Sequence, residues 1–208
     1  MLGMKHPVKR FRNLTVALKE IEPFVRNGQH LLTGRGFKSF GDMRSREALA
    51  NWLICVAINS TGKRSVTFAS DPIQGDGIII DVASEETWPT EHVMVPPRRN
   101  DQPDNTQSRI LEAITNKRKK GGGAYAKGKT LIVFLGGKGS SWQPNKVARA
   151  LPTPLHFSAV WVVALQCAEE AGPYTYAVTL LDINDGNAPI ILIQIEPDFT
   201  AWSVERVQ

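Results

Sequence analysis

Apolar positions along the chain recur with two different periods. In residues 13–26, NLTVALKEIEPFVR, Leu14, Leu18, Ile21 and Val25 fall on one stripe at helical spacing. Pro23 interrupts that stripe, so a kink or two short helices are expected. GQHLLTGRGFKSFGD reads as a Gly-rich basic connector. SREALANWLICVAIN (45–59) predicts a second helix, with Leu49, Trp52, Leu53, Val56 and Ala57 on its apolar face. Ser45 is placed to cap it, and Glu47 sits in the first turn, where the helix dipole favours an acid. The period then shortens to two. SVTFAS (65–70), GIIIDV (77–82) and EHVMVP (91–96) predict three strands close together in the chain. PPRRNDQPDN (96–105) is a turn-rich loop. TQSRILEAITNKRKK (106–120) is an amphipathic helix with a basic end suited to the dipole, and GGG at 121–123 is expected to stop it.

TLIVFLGG (130–137) is apolar without alternation, the pattern of a strand covered on both faces. A short helix over 144–150 starts at Pro144. Strands follow at 157–165, 174–182 and 189–196, the last two joined through DINDGNAP as a hairpin. Consecutive strands, then a helical crossover, then a buried strand imply an α/β fold: a mixed central sheet flanked by helices. Residues 1–44 read as a basic N-terminal helical extension and 45–208 as a single α/β domain.

At 208 residues and 42% hydrophobic content the chain can bury a globular core. No apolar run approaches the ~20 residues that span a bilayer. The basic start, MLGMKHPVKRFR, is followed by no hydrophobic segment of a secretory signal. Cys55 and Cys167 are far apart in apolar surroundings, which argues against a disulfide framework or a zinc site. The expectation is a cytoplasmic protein without a membrane partner, with a homodimer as the default assembly.

The net charge of +5 conceals strong segregation. Residues 1–46 carry +7, 47–97 carry −5, 98–150 carry +9 and 151–208 carry −6. Such blocks read either as solvated faces or as a polyanion-binding surface with an acidic, cation-binding centre.

GAYAKGKT (123–130) matches the phosphate-binding pattern G-x-x-x-x-G-K-[ST] letter for letter. The chemistry needs a strand before the loop and a helix after it, so that backbone N–H groups face the phosphates. Here the predicted helix comes first and the strand second, so nucleotide binding of that kind is rejected. The segment reads as a basic turn. More telling are the acids between the predicted strands. Asp76 and Asp81 bracket the second strand, and Glu91 opens the third. Two or three carboxylate oxygens with waters suffice for Mg²⁺. In a tight hairpin Asp81 would lie nearer Glu91 than Asp76 would, and both aspartates remain candidates on pattern alone. Solvated acids at strand ends are the competing reading. The four histidines form no metal-spaced set, no G-x-S-x-G elbow occurs, and the five tryptophans are dispersed.

The order helix, acid-bearing three-strand meander, crossover helix and buried strand resembles the PD-(D/E)XK, or restriction-endonuclease-like, nuclease superfamily over roughly 45–165. That resemblance implies a restriction-endonuclease-like core with extra C-terminal strands and metal-dependent cleavage of nucleic-acid phosphodiesters. The family's aspartate falls on Asp76 and its D/E-x-K element on Glu91-His92-Val93. Val93 stands where the lysine should be. Some members supply that lysine from the crossover helix, where Lys117 is the nearest candidate and Lys119 follows. The resemblance therefore implies Asp76, Glu91 and Lys117 as catalytic residues, and Asp76, Glu91 and Glu47 as ligands for Mg²⁺. Arg98, Arg99, Lys119 and Lys120 would contact phosphate. The alternative is a catalytically inactive nuclease-like fold that binds nucleic acid or protein.

Overall fold

The structure, a computed structural model, describes residues 12–33, 36, 38–41, 43–71, 75–97, 105–138, 141–170, 172–182 and 184–208. Asn13 caps the first helix, α1 (Leu14–Arg26), by accepting from the N–H groups of Thr15 and Val16. Pro23 lies within α1 without splitting it. The basic connector holds a short helix, α2 (Gln29–Thr33), and a 3₁₀ turn at Lys38–Phe40. Next come α3 (Ser45–Asn59), β1 (Val66–Ala69), β2 (Ile78–Asp81), β3 (Thr87–Val95), α4 (Thr106–Ala126) and β4 (Thr130–Leu135). They are followed by α5 (Pro144–Arg149), β5 (Ala159–Ala168), β6 (Tyr174–Leu180), β7 (Ile190–Ile195) and β8 (Trp202–Arg206).

All eight strands form one sheet in chain order. β1, β2 and β3 are an antiparallel meander. β4 pairs parallel to β3 and β5 parallel to β4, with α4 and α5 as the crossovers. β5 to β8 are antiparallel again. Alternation along β4 divides the core. Ile132 and Phe134 face α1 and α3 together with Trp52, Phe68 and Val163. Leu131, Val133 and Leu135 face α4 and α5 together with Ile110, Ile114 and Val147. Every β4 residue is buried, as its unbroken apolar run implied.

The basic N-terminal helix belongs to this core: Ala17, Leu18, Ile21 and Val25 are buried, and the Trp52 indole donates to the Leu14 carbonyl at 2.8 Å. Three expectations need correction. Ser45 is the first helical residue rather than the cap. Glu47 reaches back instead, accepting from the Arg44 N–H at 2.9 Å. The glycines at 121–123 break α4 without ending it. Gly122 takes φ +62°, open to a residue without Cβ, and helix resumes through Ala126. β3 begins at Thr87, four residues before the expected start, because Pro89 pairs within the sheet opposite Ile78.

Candidate functional site at the β2–β3 edge

The early start of β3 decides which acids meet. Ile78 pairs with Pro89, and Thr90 N–H donates to the Gly77 carbonyl at 2.8 Å, carrying the pairing past the end of β2. Continued one step, this register sets Asp76 level with Glu91. The Asp76 carboxylate reaches across, accepting the His92 N–H at 2.7 Å. Asp81 goes to the opposite end of β2. There it accepts from Ala83 and Ser84 N–H and pairs with Arg64 at 3.3 Å, so it is a turn residue remote from this cluster.

Glu91 is buried, and its two oxygens are held separately. Lys117 Nζ lies 3.0 Å from Oε2 and Lys129 Nζ 2.8 Å from Oε1. The Tyr125 hydroxyl donates to the same carboxylate, and the Lys129 amine rests 4.0 Å above the centre of the Tyr125 ring. Burial alone would raise the Glu91 pKa, but hydrogen bonds from Lys129, Tyr125 and Lys117 outweigh it and hold the group at about 2.

Asp76 and Glu47 are shifted the other way. Burial raises Asp76, assisted by the charge of Glu91 and opposed by the His92 N–H, Lys117 and Arg44. Burial likewise raises Glu47, with Asp76 adding to it and Arg44 and Arg46 opposing. Asp76 thus couples electrostatically to Glu91 on one side and to Glu47 on the other. His92 faces the other side of β3. Burial, then the charges of Arg46 and Lys117, keep its imidazole neutral with a pKa of about 3. Asn51 of α3 ties this layer together: its Nδ2 lies 3.3 Å from the Asp76 carbonyl and 3.4 Å from His92 Nε2.

Beside the cluster, β3 and α4 enclose an open groove of about 490 Å³. Val93 and Lys117 both line it, so the lysine amine occupies the neighbourhood where the third residue of an E-x-K element would project. Lys120 lines the groove and Lys119 is exposed on α4, while Arg98 and Arg99 lie outside the described residues. Among the described residues, no three His, Cys, Asp or Glu side chains converge as a metal-binding group. No helix among them is long and apolar enough to cross a membrane.

Sequence reasoning missed Lys129, Tyr125 and Asn51. Lys129 and Tyr125 come from GAYAKGKT, where α4 precedes and β4 follows, the order that argued against a nucleotide loop. The parallel pairing of Thr130 with Thr90 and Leu131 with Glu91 is what delivers Lys129 to the acid. Only knowledge of that register could have exposed it.

Glu91 makes a testable contribution to stability. A carboxyl depressed from 4.5 to about 2 stabilises the folded state by roughly 3 kcal/mol at neutral pH. That stability is present above pH 4.5 and lost as pH falls toward 2. Asp76 and Glu47, being raised, act in the opposite sense, so the effect is read as a difference. The stability gap between wild type and Glu91→Gln in urea titrations should shrink across this window. A pH-independent gap would show that the lysines do not hold Glu91 as an anion.

No protein-family model and no curated protein matches the chain. Among solved structures, the crystal structure of the central domain of yeast acetyl-CoA carboxylase is similar over 69% of this chain, at 8% identity and a TM-score of 0.37. The similarity spans 22% of that structure, and at this level it carries no inference about function.

Proposed function

We propose that the chain is a divergent PD-(D/E)XK-type nuclease that cleaves nucleic-acid phosphodiesters with the help of a divalent cation. One observation carries the reading. Asp76 and Glu91 come level across the meander, and a lysine from the crossover helix lies 3.0 Å from Glu91, at the place where the strand itself offers only Val93. The order α3, antiparallel meander, α4 and parallel β4 supports a restriction-endonuclease-like core.

The donor chemistry suits Mg²⁺ or Mn²⁺. Asp76 and Glu91 offer hard oxygens, Glu47 adds a third negative charge, and the raised pKa values of Asp76 and Glu47 reflect repulsion and burial that a cation would relieve. Such a site needs only one or two carboxylates plus waters, so it does not require three converging acids. When bound, the cation supplies an activated water and offsets charge on the phosphoryl oxygens. The chain's own residues do the remainder. The His92 N–H fixes Asp76, Lys129 and Tyr125 fix one side of Glu91, and Lys117 presents an ammonium group toward the groove, where it orients water and opposes developing negative charge.

A second reading, a non-catalytic binding module, is favoured by the engagement of both Glu91 oxygens by lysines. Mn²⁺ separates the two. At ~10 times its dissociation constant, Mn²⁺ should raise the unfolding midpoint of wild type by about 3–6 °C and leave Asp76→Asn unmoved. Wild type should also cleave labelled DNA or RNA in Mn²⁺. A midpoint indifferent to Mn²⁺, with no cleavage, eliminates the catalytic reading.

A further inference from the structure

We infer that the groove between β3 and α4 seats an unpaired nucleotide beside the scissile phosphodiester, so that the substrate is single-stranded or locally opened nucleic acid. The inference takes its substrate chemistry from the proposed function and adds strandedness to it. The groove of about 490 Å³ runs directly from Lys117, and its volume falls within the range of sites that engulf a small organic group.

The lining has two characters. Val93, Val95 and Ala113 make an apolar floor, with Val95 and Val93 also part of, or packed on, the hydrophobic cluster beneath α4. Arg109, Lys117, Lys120 and one acid, Glu112, line the rim; Lys117 is already paired with Glu91 at 3.0 Å and Arg109 donates to the Pro96 carbonyl. A phosphate backbone alone would be satisfied by the rim. The apolar floor suits a flat, weakly solvated ring, and a base within a duplex is stacked and cannot reach it. Asn116, whose amide can donate and accept, stands at the same rim to meet a base edge. Val93 gains a physical role on this reading. With the lysine supplied from α4, the strand position is released to form the wall on which the ring lies.

The test uses wild type in a chelator, so that binding is read without cleavage, at one fixed salt concentration because phosphate contacts are salt-dependent. The probes are short single-stranded DNA and RNA oligonucleotides carrying one 2-aminopurine, and a DNA hairpin duplex of the same sequence. At least one single strand should bind about tenfold tighter than the duplex, with 2-aminopurine emission rising on binding as the base leaves its stacked neighbours for a groove that no Phe, Tyr or Trp among the described residues lines. Ala113→Leu, which fills the floor, should weaken single-strand binding about tenfold in a chain that still unfolds cooperatively and keeps its Mn²⁺ response. Equal or tighter duplex binding, a probe whose emission does not rise, or normal binding by folded Ala113→Leu would overturn the inference. Cleavage that prefers intact duplex would remove this inference and leave the nuclease reading standing. Selective single-strand binding by a protein indifferent to Mn²⁺ would remove the nuclease reading and leave the groove assignment.

Discussion

If the proposed nuclease function holds, Lys117→Ala is expected to lower Mn²⁺-dependent cleavage by about 10²–10³-fold, the scale for losing one preorganised charge-stabilising group, and Val93→Lys in the same chain is expected to restore most of it. The reasoning is geometric. Glu91 and Val93 are two residues apart on one strand and so point to one face of the sheet. Lys117 arrives at that face from α4, contacts Glu91 at 3.0 Å and lines the same groove as Val93. A lysine at 93 would therefore reach the region that the Lys117 amine now occupies. Some stability should be lost in Lys117→Ala, because the pair it breaks is largely buried, with side chains 16% and 8% exposed, but Lys129 still neutralises Glu91 at 2.8 Å, and activity is compared between folded variants. The double variant is the decisive arm. A positional requirement for an ammonium group predicts rescue. A merely structural role for Lys117 predicts none, since Val93→Lys does not rebuild a contact from α4. Lys117→Ala with full activity, or a folded double variant as inactive as the single one, would remove Lys117 from the site.

Much of this fold was visible as periodicity. The bounds of α3, the uninterrupted β4 run and the Pro144 helix start lie where local pattern places them, but α3 is buried around its whole circumference from Ala48 to Ala57 rather than on the one expected stripe, because α1 and the sheet cover it together. β8 left no such mark. It is a short edge strand with only Trp202 and Val204 directed at the core, where the Trp202 ring meets that of Trp52 edge-on at 5.1 Å. The acids were visible by type and their partnership was not. Asp76 comes level with Glu91 because β3 extends back to Thr87 through a proline, a choice made by pairing with β2 rather than by local preference. Lys117 could be named only because the resemblance looks for a lysine on the crossover helix, where it is the nearest candidate. Lys129 and Tyr125 lie beyond the break at Gly122, and only the parallel register of β4 on β3 places them. Register is a tertiary quantity, and that is where sequence reasoning stopped.

The same register depends on Gly77, and Gly77→Ala is expected to cost roughly 3 kcal/mol, from backbone strain and overpacking together. Gly77 has φ +143°, a conformation disfavoured for any residue with a Cβ. An added Cβ would lie 2.5 Å from Asn51 Nδ2 and 3.1 Å from Thr90 Oγ1. Asn51 has little room to yield: it is fully buried on α3 and its Nδ2 also serves the Asp76 carbonyl and approaches His92. Relief would therefore have to come from moving α3 off the β2–β3 edge, which breaks the Asn51 bond to the Asp76 carbonyl and loosens the hold on Asp76 beside Glu91. Gly62 provides the control, with φ +67° and nothing within 4 Å of its own added Cβ, so Gly62→Ala carries the backbone strain without the collision. Urea titrations should show Gly77→Ala losing at least twice as much stability as Gly62→Ala, and Asn51→Ala in the Gly77→Ala chain should recover part of the difference. The Mn²⁺ shift of the unfolding midpoint should fall in Gly77→Ala and persist in Gly62→Ala. Equal losses in the two alanine variants, or an undiminished Mn²⁺ shift in Gly77→Ala, would mean that the approach of α3 to Gly77 does not set the spacing of the two acids.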